Sequence, residues 1–420
     1  MKLLNFYFLL LVLLPFNAQA SETRTRVIGH DSVRDNTDLF SFPSTAVNKN
    51  FVLVELGTSG QTQAYGLISH EANDNQFAIA LSHEASLFTA PDYGSSVSVA
   101  DAWLSQNTSN SNDNFLLPYP ERPIDIIYAR KVGKNSFGLG LSFANYVSKS
   151  DHDSGPKDMV KSEATQIGLT LGFSKLESAF PLDIALTAYL AGDLERNVES
   201  AASTRKNSYD ESGQHFLFLA RSINHKSHYA LLRIESRKAK LTNETASADE
   251  SATINESAIN LSGGAILNPI KSTLVYAGLD FITIKSKGPT TSPSGENAVP
   301  SFASSDEEIK IDTNALGAAI GLETKVSESF GILGGLNYTL WGTITKDDNI
   351  SSNEPTTKIS IFETSDASLW ALGLFYENND LRIDASYANS FLFAGPYLIS
   401  GNDRGGNAPL FTQLSLTYSL

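Results

Sequence analysis

The protein has 420 residues, a formal net charge of −15 at pH 7 and no cysteine. The absence of cysteine excludes a disulfide-stabilised scaffold, and the acidic balance argues against a nucleic-acid-binding protein, which needs a basic surface. The hydrophobic share of 41% does not exclude a membrane protein, because a transmembrane strand exposes only alternate residues to lipid.

The first 20 residues combine one basic residue, Lys2, with an apolar run from Leu3 to Phe16 and the small-residue motif Ala18-Gln19-Ala20. This pattern predicts a secretory signal peptide at residues 1–20, and the run is too short to span a membrane as a helix. No later stretch approaches the roughly 20 apolar residues of a membrane helix. A membrane location would therefore require strands.

Residues 21–50 are polar and interrupted by Pro43, which predicts an irregular N-terminal segment on the periplasmic side or in a barrel lumen. Its Phe40-Ser41-Phe42-Pro43-Ser44 stretch resembles the N-terminal region of the long-chain fatty-acid transporters of the outer membrane. In that family an Asn-Pro-Ala element precedes the first strand, and here Phe42-Pro43-Ser44 stands in its place. The resemblance implies a plugged barrel that takes up hydrophobic molecules.

From Phe51 onward, segments of alternating polarity are bounded by turn residues, which is typical of strands. We predict an all-β fold for residues 51–420: a transmembrane antiparallel up-and-down β-barrel of about sixteen strands, with fourteen as the alternative. The segments lie at 51–57, 62–70, 76–84, 123–132, 135–148, 162–174, 181–193, 212–223, 226–241, 254–267, 271–286, 309–325, 328–344, 359–376, 379–392 and 409–420.

The lengths of the connections alternate along the chain. Connections after odd-numbered segments are long from the second one onward, as at 85–122 and 287–308, whereas those after even-numbered segments are short, as at 133–134 and 377–378. The fold of a soluble sandwich or a secreted adhesin does not require long and short connections to alternate. An outer-membrane barrel does, because its periplasmic turns are tight and its extracellular loops are extended. The pattern predicts a porin-like protein of the Gram-negative outer membrane, surrounded by membrane lipid and lipopolysaccharide.

The last residues, PLFTQLSLTYSL, alternate between apolar and polar positions up to Leu420. The stretch resembles the closing strand of bacterial outer-membrane β-barrels, although Leu420 stands where that family most often has an aromatic residue. The resemblance implies recognition of this strand by the barrel assembly machinery.

We find no constellation of residues typical of an enzyme, a metal site or a cofactor site. The seven histidines are scattered apart from His225 and His228, and no Gly-x-Ser-x-Gly motif is present. The sequence therefore predicts a non-enzyme, with an outer-membrane enzyme or an adhesin as further alternatives.

Inward-facing charges are the candidate functional residues, because rings of fixed charge set ion preference in a water-filled pore. These charges alternate with apolar residues along their strands, so the two sets lie on opposite faces. The charged face should point into the lumen, because an Arg that faces lipid near the midplane costs about 2–4 kcal/mol. The alternative is that opposite charges pair and stabilise the barrel interior. The pore-lining candidates are Arg233, Glu235, Arg237, Asp280, Arg382 and Asp384.

A barrel of roughly sixteen strands is wide enough for an aqueous channel. The sequence therefore favours passive passage of small solutes, with uptake of hydrophobic compounds such as fatty acids through a plugged barrel as the alternative.

Overall fold

A computed structural model describes residues 22–28, 35–57, 64–83, 123–152, 158–175, 181–199, 204–224, 228–245, 249–289, 291–292, 301–302, 308–348, 357–360, 368–387 and 411–420. The signal peptide predicted for residues 1–20 lies outside these ranges. Two short α-helices, α1 (Glu22–Ile28) and α2 (Asp38–Ser41), are followed by a 3₁₀ turn (Pro43–Ala46). Among the described residues, no helix is long and apolar enough to cross a membrane.

Within the described ranges, twenty strands follow these helices. The first ten are β1 (Phe51–Gly57), β2 (Tyr65–Ala72), β3 (Asn75–Leu81), β4 (Ile124–Val132), β5 (Asn135–His152), β6 (Asp158–Lys175), β7 (Leu182–Glu199), β8 (Thr204–Asp210), β9 (His215–Asn224) and β10 (His228–Thr245). The others are β11 (Asp249–Ile270), β12 (Thr273–Pro289), β13 (Thr291–Ser292), β14 (Ser301–Phe302), β15 (Glu308–Lys325), β16 (Phe330–Asp348), β17 (Thr357–Ser360), β18 (Ser368–Asn378), β19 (Leu381–Tyr387) and β20 (Phe411–Ser419).

The strands form one closed antiparallel barrel. Consecutive strands are neighbours, and β1 pairs with β20, with Val52 opposite Tyr418, which closes the ring. β8 and β9 both lie between β7 and β10 and act as one interrupted strand, as do β17 and β18 beside β16. β13 and β14 form a separate two-stranded hairpin. The barrel therefore has sixteen strand positions, which confirms the predicted all-β up-and-down barrel of about sixteen strands.

The strands extend further toward the long loops than the alternation predicted. β5 continues to His152 and β6 begins at Asp158, inside the predicted connection 149–161. Strand β8 lies entirely within the predicted connection 194–211. In these extensions both faces carry polar residues, so the period-two pattern disappears although the backbone ladder continues.

The outer face of the barrel is apolar and the inner face is polar or small. On β5, Phe137, Leu139, Leu141 and Phe143 are each between 41% and 51% exposed, while Ser136 is buried on the inner side. Ring pairs lie near the short turns, with centroids 5.4 Å apart for Phe137 and Phe173 and 5.0 Å apart for Phe330 and Tyr376. Such rings are typical of a membrane interface, where one side of the ring meets lipid and the other meets water.

Candidate functional site: the N-terminal segment inside the barrel

Residues 22–28 and 35–50, which we call the N-terminal segment, pack against inward-facing residues at the short-turn end of the barrel. Helix α1 contacts β15, β16, β18 and β19, whereas the 3₁₀ turn contacts β4, β5 and β6 on the other side. The two parts together therefore meet both walls of the lumen. These strand positions are close to the short turns, which face the periplasm in an outer-membrane barrel.

Two glycines of the wall make room for the 3₁₀ turn. A Cβ atom at Gly138 would overlap the backbone of Ser44, and one at Gly172 would lie 2.9 Å from the Ser44 nitrogen. Hydrogen bonds surround this close approach: Ser136 donates to the carbonyl of Ser44 at 2.8 Å, and the hydroxyls of Ser44 and Ser174 are 2.7 Å apart. Only glycine permits a backbone to approach another this closely, so the wall fits the segment at this point.

Helix α1 lies against a second pair of glycines. A Cβ atom at Gly321 would overlap the side chain of Ile28, and one at Gly335 would overlap the carbonyl of Val27. Val27 and Ile28 are buried in one apolar cluster with Leu333 and Phe375 of the wall. The helix is therefore held by packing as well as by charge.

A buried network of charges fixes α1 to β15 and β19. The guanidinium of Arg24 donates to Glu323 at 2.5 Å and to the hydroxyl of Tyr276 at 3.0 Å. Arg382 joins the same carboxylate at 3.2 Å and Asp384 at 2.9 Å. Burial alone would lower the pKa of Arg24, but the carboxylate of Glu323 and the hydroxyl of Tyr276 together outweigh burial and raise that pKa above its usual value. The network thus keeps Arg24 charged.

A second ion pair fixes α2 to the opposite wall. Arg221 of β9 donates to both carboxylate oxygens of Asp38, at 2.7 and 3.0 Å, and to Asp183 of β7 at 3.3 Å. The guanidinium also stacks over the ring of Phe42, 4.3 Å from the ring centroid. All three charged side chains are at least nine-tenths buried. A buried charge is stable only when paired, and Arg221 supplies that partner to Asp38 while the segment is in place.

Further contacts order the segment itself. The carboxylate of Asp35 accepts hydrogen bonds from the backbone and hydroxyl of Thr37 and from the backbone of Asp38, and it also contacts the hydroxyl of Thr25. Burial and the neighbouring carboxylate of Asp38 raise the pKa of Asp35. At the start of α1, the backbone of Thr23 donates to Glu55 of β1 at 2.9 Å. Phe40 stacks on His83, with ring centroids 3.6 Å apart.

All six pore-lining candidates lie on the inner side of the wall. Arg382 and Asp384 belong to the network beneath α1, as described above. Arg233 pairs with Glu235 at 2.6 Å, and Arg237 pairs with Glu256 of β11 at 2.9 Å. Asp280 is half-buried on β12. A role of these residues in ion preference stays a prediction.

Glu235 also belongs to a cluster at the interruption between β8 and β9. His215 contacts Glu211 at 3.2 Å through Nδ1 and Glu235 at 2.8 Å through Nε2. Tyr209 donates to Glu211 at 2.8 Å. This cluster is further from the short turns than the N-terminal segment and stabilises the inner wall.

Beyond these charges toward the long loops, a cluster of apolar side chains forms part of the inner wall. We call this region the upper apolar patch. Its core side chains are each at most 3% exposed and belong to strands from β7 to β15. They are Leu194, Tyr209, Leu241, Ile254 and Ile311.

Sequence reasoning missed the residues that join the segment to the wall: Arg24, Asp38, Arg221 and Glu323. Alternation shows which face of a strand carries a residue, but it does not show which distant residue lies opposite. Arg24 and Glu323 are 299 positions apart in the chain. The available signal was the inward placement of isolated charges such as Asp183, each of which requires a partner when buried.

A closed barrel with an apolar outer band, an inner face carrying charges and tight turns at one end is the architecture of proteins that span the Gram-negative outer membrane. The protein is an outer-membrane β-barrel.

No protein-family model matches the sequence, and no curated protein matches it. The fold is similar to solved structures at low identity. The FrpB iron transporter from Neisseria meningitidis is 10% identical, with a TM-score of 0.35; the match covers 84% of this chain and 64% of FrpB, so this chain spans just under two thirds of that protein. The toluene transporter TodX of Pseudomonas putida is 11% identical, with a TM-score of 0.34 and coverage of 96% and 99%. The translocator domain of the autotransporter NalP from Neisseria meningitidis is 12% identical, with a TM-score of 0.28 and coverage of 76% and 96%.

Proposed function

We propose that the protein takes up hydrophobic compounds across the outer membrane, through a barrel that its N-terminal segment closes at the periplasmic end. The observation that carries this proposal is the packing of the segment against both walls, with Arg24 and Arg221 paired across the contact. An open channel for small hydrophilic solutes would need a free path at this level. The packed segment therefore favours a plugged transporter over a porin.

The upper apolar patch is the observation that supports an apolar substrate class. Inward-facing side chains of a water-filled channel are polar, whereas Leu194, Leu241 and Ile254 face inward on the extracellular side and are buried against one another. An apolar compound that enters between these side chains gains about 25 cal/mol for each Å² of its own surface that it removes from water.

Planar-bilayer conductance of the refolded protein, with and without residues 22–50, tests the closed end. We expect few or no large steps from the full-length protein and stable steps from the shortened one. Large, stable steps from the full-length protein would overturn the proposal in favour of a porin. Heat-modifiable mobility in gels serves as the control that both proteins form a barrel.

Uptake into liposomes tests the substrate class. We expect the full-length protein to accelerate entry of a radiolabelled alkane or aromatic hydrocarbon relative to protein-free liposomes. Swelling in sugar solutions should not exceed that of empty liposomes. Fast swelling together with unchanged hydrocarbon entry would contradict uptake of hydrophobic compounds.

A further inference from the structure

Arg233 on β10 is the most exposed inward-facing arginine among the described side chains. Its side chain is 33% exposed, whereas Arg221, Arg237 and Arg382 are each at most 4% exposed. The guanidinium donates through Nε and Nη2 to one oxygen of Glu235, at 3.2 and 2.6 Å. A guanidinium has five N–H donors in a fixed fork. Three of them therefore remain available to a ligand in the lumen.

Apolar surface lies beside Arg233 on the inner wall. Leu217 and Leu231 are half-buried and pack against a cluster that contains Phe42 of the N-terminal segment. Leu231 is the inward-facing residue before Arg233 on β10, and Leu217 is directly opposite Glu235 in the pairing of β9 with β10. Opposite side chains on one face lie about 4.5–5.5 Å apart. One compound can therefore contact these leucines with its apolar part and Arg233 with a polar group, directly above the segment.

The charge of Arg233 is already balanced by its surroundings. Glu235 accepts from Arg233 through Oε2 and contacts His215 at 2.8 Å through Oε1. From β7 to β15, between the N-terminal segment and the upper apolar patch, the described inward-facing charges besides His215 are four carboxylates and two guanidiniums. A ligand carboxylate would face like charges there, whereas a neutral oxygen acceptor would not. The charged residues are Glu211, Glu235, Glu256, Asp280, Arg233 and Arg237.

We propose that this part of the wall selects an uncharged hydrophobic compound that carries an oxygen acceptor, such as an ester or a ketone, over the corresponding carboxylate. The inference rests on the proposed uptake of hydrophobic compounds and names the kind of compound. Arg233 donates a hydrogen bond to the oxygen, and Leu217 and Leu231 contact the apolar part. Glu235 sets the preference, because its charge offsets that of the guanidinium while three N–H groups stay available.

Binding of three radiolabelled probes to the full-length protein in neutral detergent tests this selectivity, with scintillation proximity as the readout. Dodecane has no acceptor, methyl dodecanoate has a neutral acceptor, and dodecanoate has a charged one. The pH is kept well above the pKa of a carboxylic acid, so that dodecanoate is ionised. Each probe is compared between protein variants at one detergent concentration, and its partition into micelles therefore cancels.

Arg233→Met removes the donor. A hydrogen bond to a charged group contributes roughly tenfold in affinity, so we expect methyl dodecanoate to bind this variant about tenfold more weakly than wild type. Dodecane should bind both proteins equally. Unchanged binding of methyl dodecanoate, or an equal loss for dodecane, would overturn the proposal.

Glu235→Gln leaves the charge of Arg233 unbalanced. We expect this variant to bind dodecanoate about tenfold more tightly than wild type, since a charge-assisted hydrogen bond then forms, and to bind methyl dodecanoate like wild type. Glu256→Gln is the matched control, because it removes the same charge from the same wall but leaves Arg237, whose side chain is only 3% exposed. Dodecanoate should bind this control like wild type.

The remaining outcomes separate this inference from the proposed function. No gain for dodecanoate in Glu235→Gln, or an equal gain in Glu256→Gln, would overturn the inference, because the preference would then not depend on Arg233. Absence of binding of all three probes to wild type would overturn the proposed function together with this inference. If Glu235→Gln does not form a heat-modifiable barrel, the loss of methyl dodecanoate binding in Arg233→Met decides alone.

Discussion

Arg221 on β9 holds Asp38 of the N-terminal segment through both carboxylate oxygens, at 2.7 and 3.0 Å. The same guanidinium contacts Asp183 on β7, so one cation neutralises a carboxylate of the segment and a carboxylate of the wall. If the segment leaves, Arg221 keeps one partner and Asp38 loses its own. The docked state therefore contains the buried ion pair between Arg221 and Asp38 in addition to its packing contacts, and the undocked state lacks both.

Replacing Arg221 with Met should release the segment. The substitution leaves Asp38 and Asp183 buried without their cation, and removing one partner of a buried ion pair costs about 3–5 kcal/mol. Limited proteolysis of residues 35–50 in reconstituted protein measures the release, and we expect cleavage at least tenfold faster than in wild type. Channel steps in a planar bilayer should appear in parallel.

Arg233→Met is the matched control for that experiment. Its guanidinium is 33% exposed and pairs with Glu235 away from the segment, so an effect of about 0–1 kcal/mol is expected. A second variant that combines Arg221→Met with Asp38→Asn should recover part of the protection from proteolysis, because it removes one of the two carboxylates that Arg221 neutralises. Unchanged proteolysis of Arg221→Met would show that the ion pair does not hold the segment.

Adding a methyl group at Gly138 should displace the 3₁₀ turn. A Cβ atom there would overlap the backbone of Ser44, which cannot move aside as a flexible side chain could. We expect Gly138→Ala to lose the hydrogen bond from Ser136 and to increase proteolysis of the segment, while the barrel keeps its heat-modifiable mobility. Gly66→Ala is the control, since a Cβ at Gly66 meets no atom within 4 Å. Equal proteolysis of the two variants would contradict a wall shaped around the segment.

The barrel could be predicted from the sequence because its two signals are local. Period two identifies inward and outward faces within each strand, and connection length identifies the two ends. Both signals held for predicted segments such as 226–241, of which residues 228–241 lie in β10. The interruption at residues 211–214 was not predicted, because Glu211 turns inward to His215 through a contact that alternation does not describe.

The packing of the N-terminal segment against the inner wall could be predicted only as an alternative. A polar stretch such as residues 21–50 has the same composition whether it lies in the periplasm or in a lumen. Its placement depends on long-range partners, including Glu323 for Arg24 and Arg221 for Asp38, and on glycines whose role appears only when another backbone lies against them. Local patterns contain none of these relationships.

Acid should tighten the docking of the segment through Asp35. Burial and Asp38 raise the pKa of Asp35 in the docked state above its usual 3.8, so the docked segment binds a proton more readily than the released one. Docking is therefore strengthened as pH falls through the raised pKa toward 3.8 and weakened as pH rises through it. The groups facing Asp35 are Asp38, Thr25, Thr37 and Lys49.

Segment proteolysis by a protease active across this pH range measures the effect. Asp35→Asn cannot titrate, so its proteolysis rate should depend less on pH than that of wild type, and the difference between the two should be largest above the raised pKa. Since other carboxylates titrate in both proteins, the difference between the two profiles is the relevant quantity. Parallel profiles would rule out a contribution from Asp35.

Locking the segment to the wall should stop uptake. The hydroxyls of Ser44 and Ser174 are 2.7 Å apart, and the chain contains no cysteine, so Ser44→Cys with Ser174→Cys offers a single pair of thiols at a separation suited to a disulfide. We expect the oxidised double variant to lose hydrocarbon uptake into liposomes and to regain it when a thiol reductant is added. Either single cysteine variant should respond to neither treatment. If the oxidised, fully cross-linked protein took up hydrocarbon at the wild-type rate, substrates would pass without movement of this part of the segment. The transport path would then have to leave the barrel at another place.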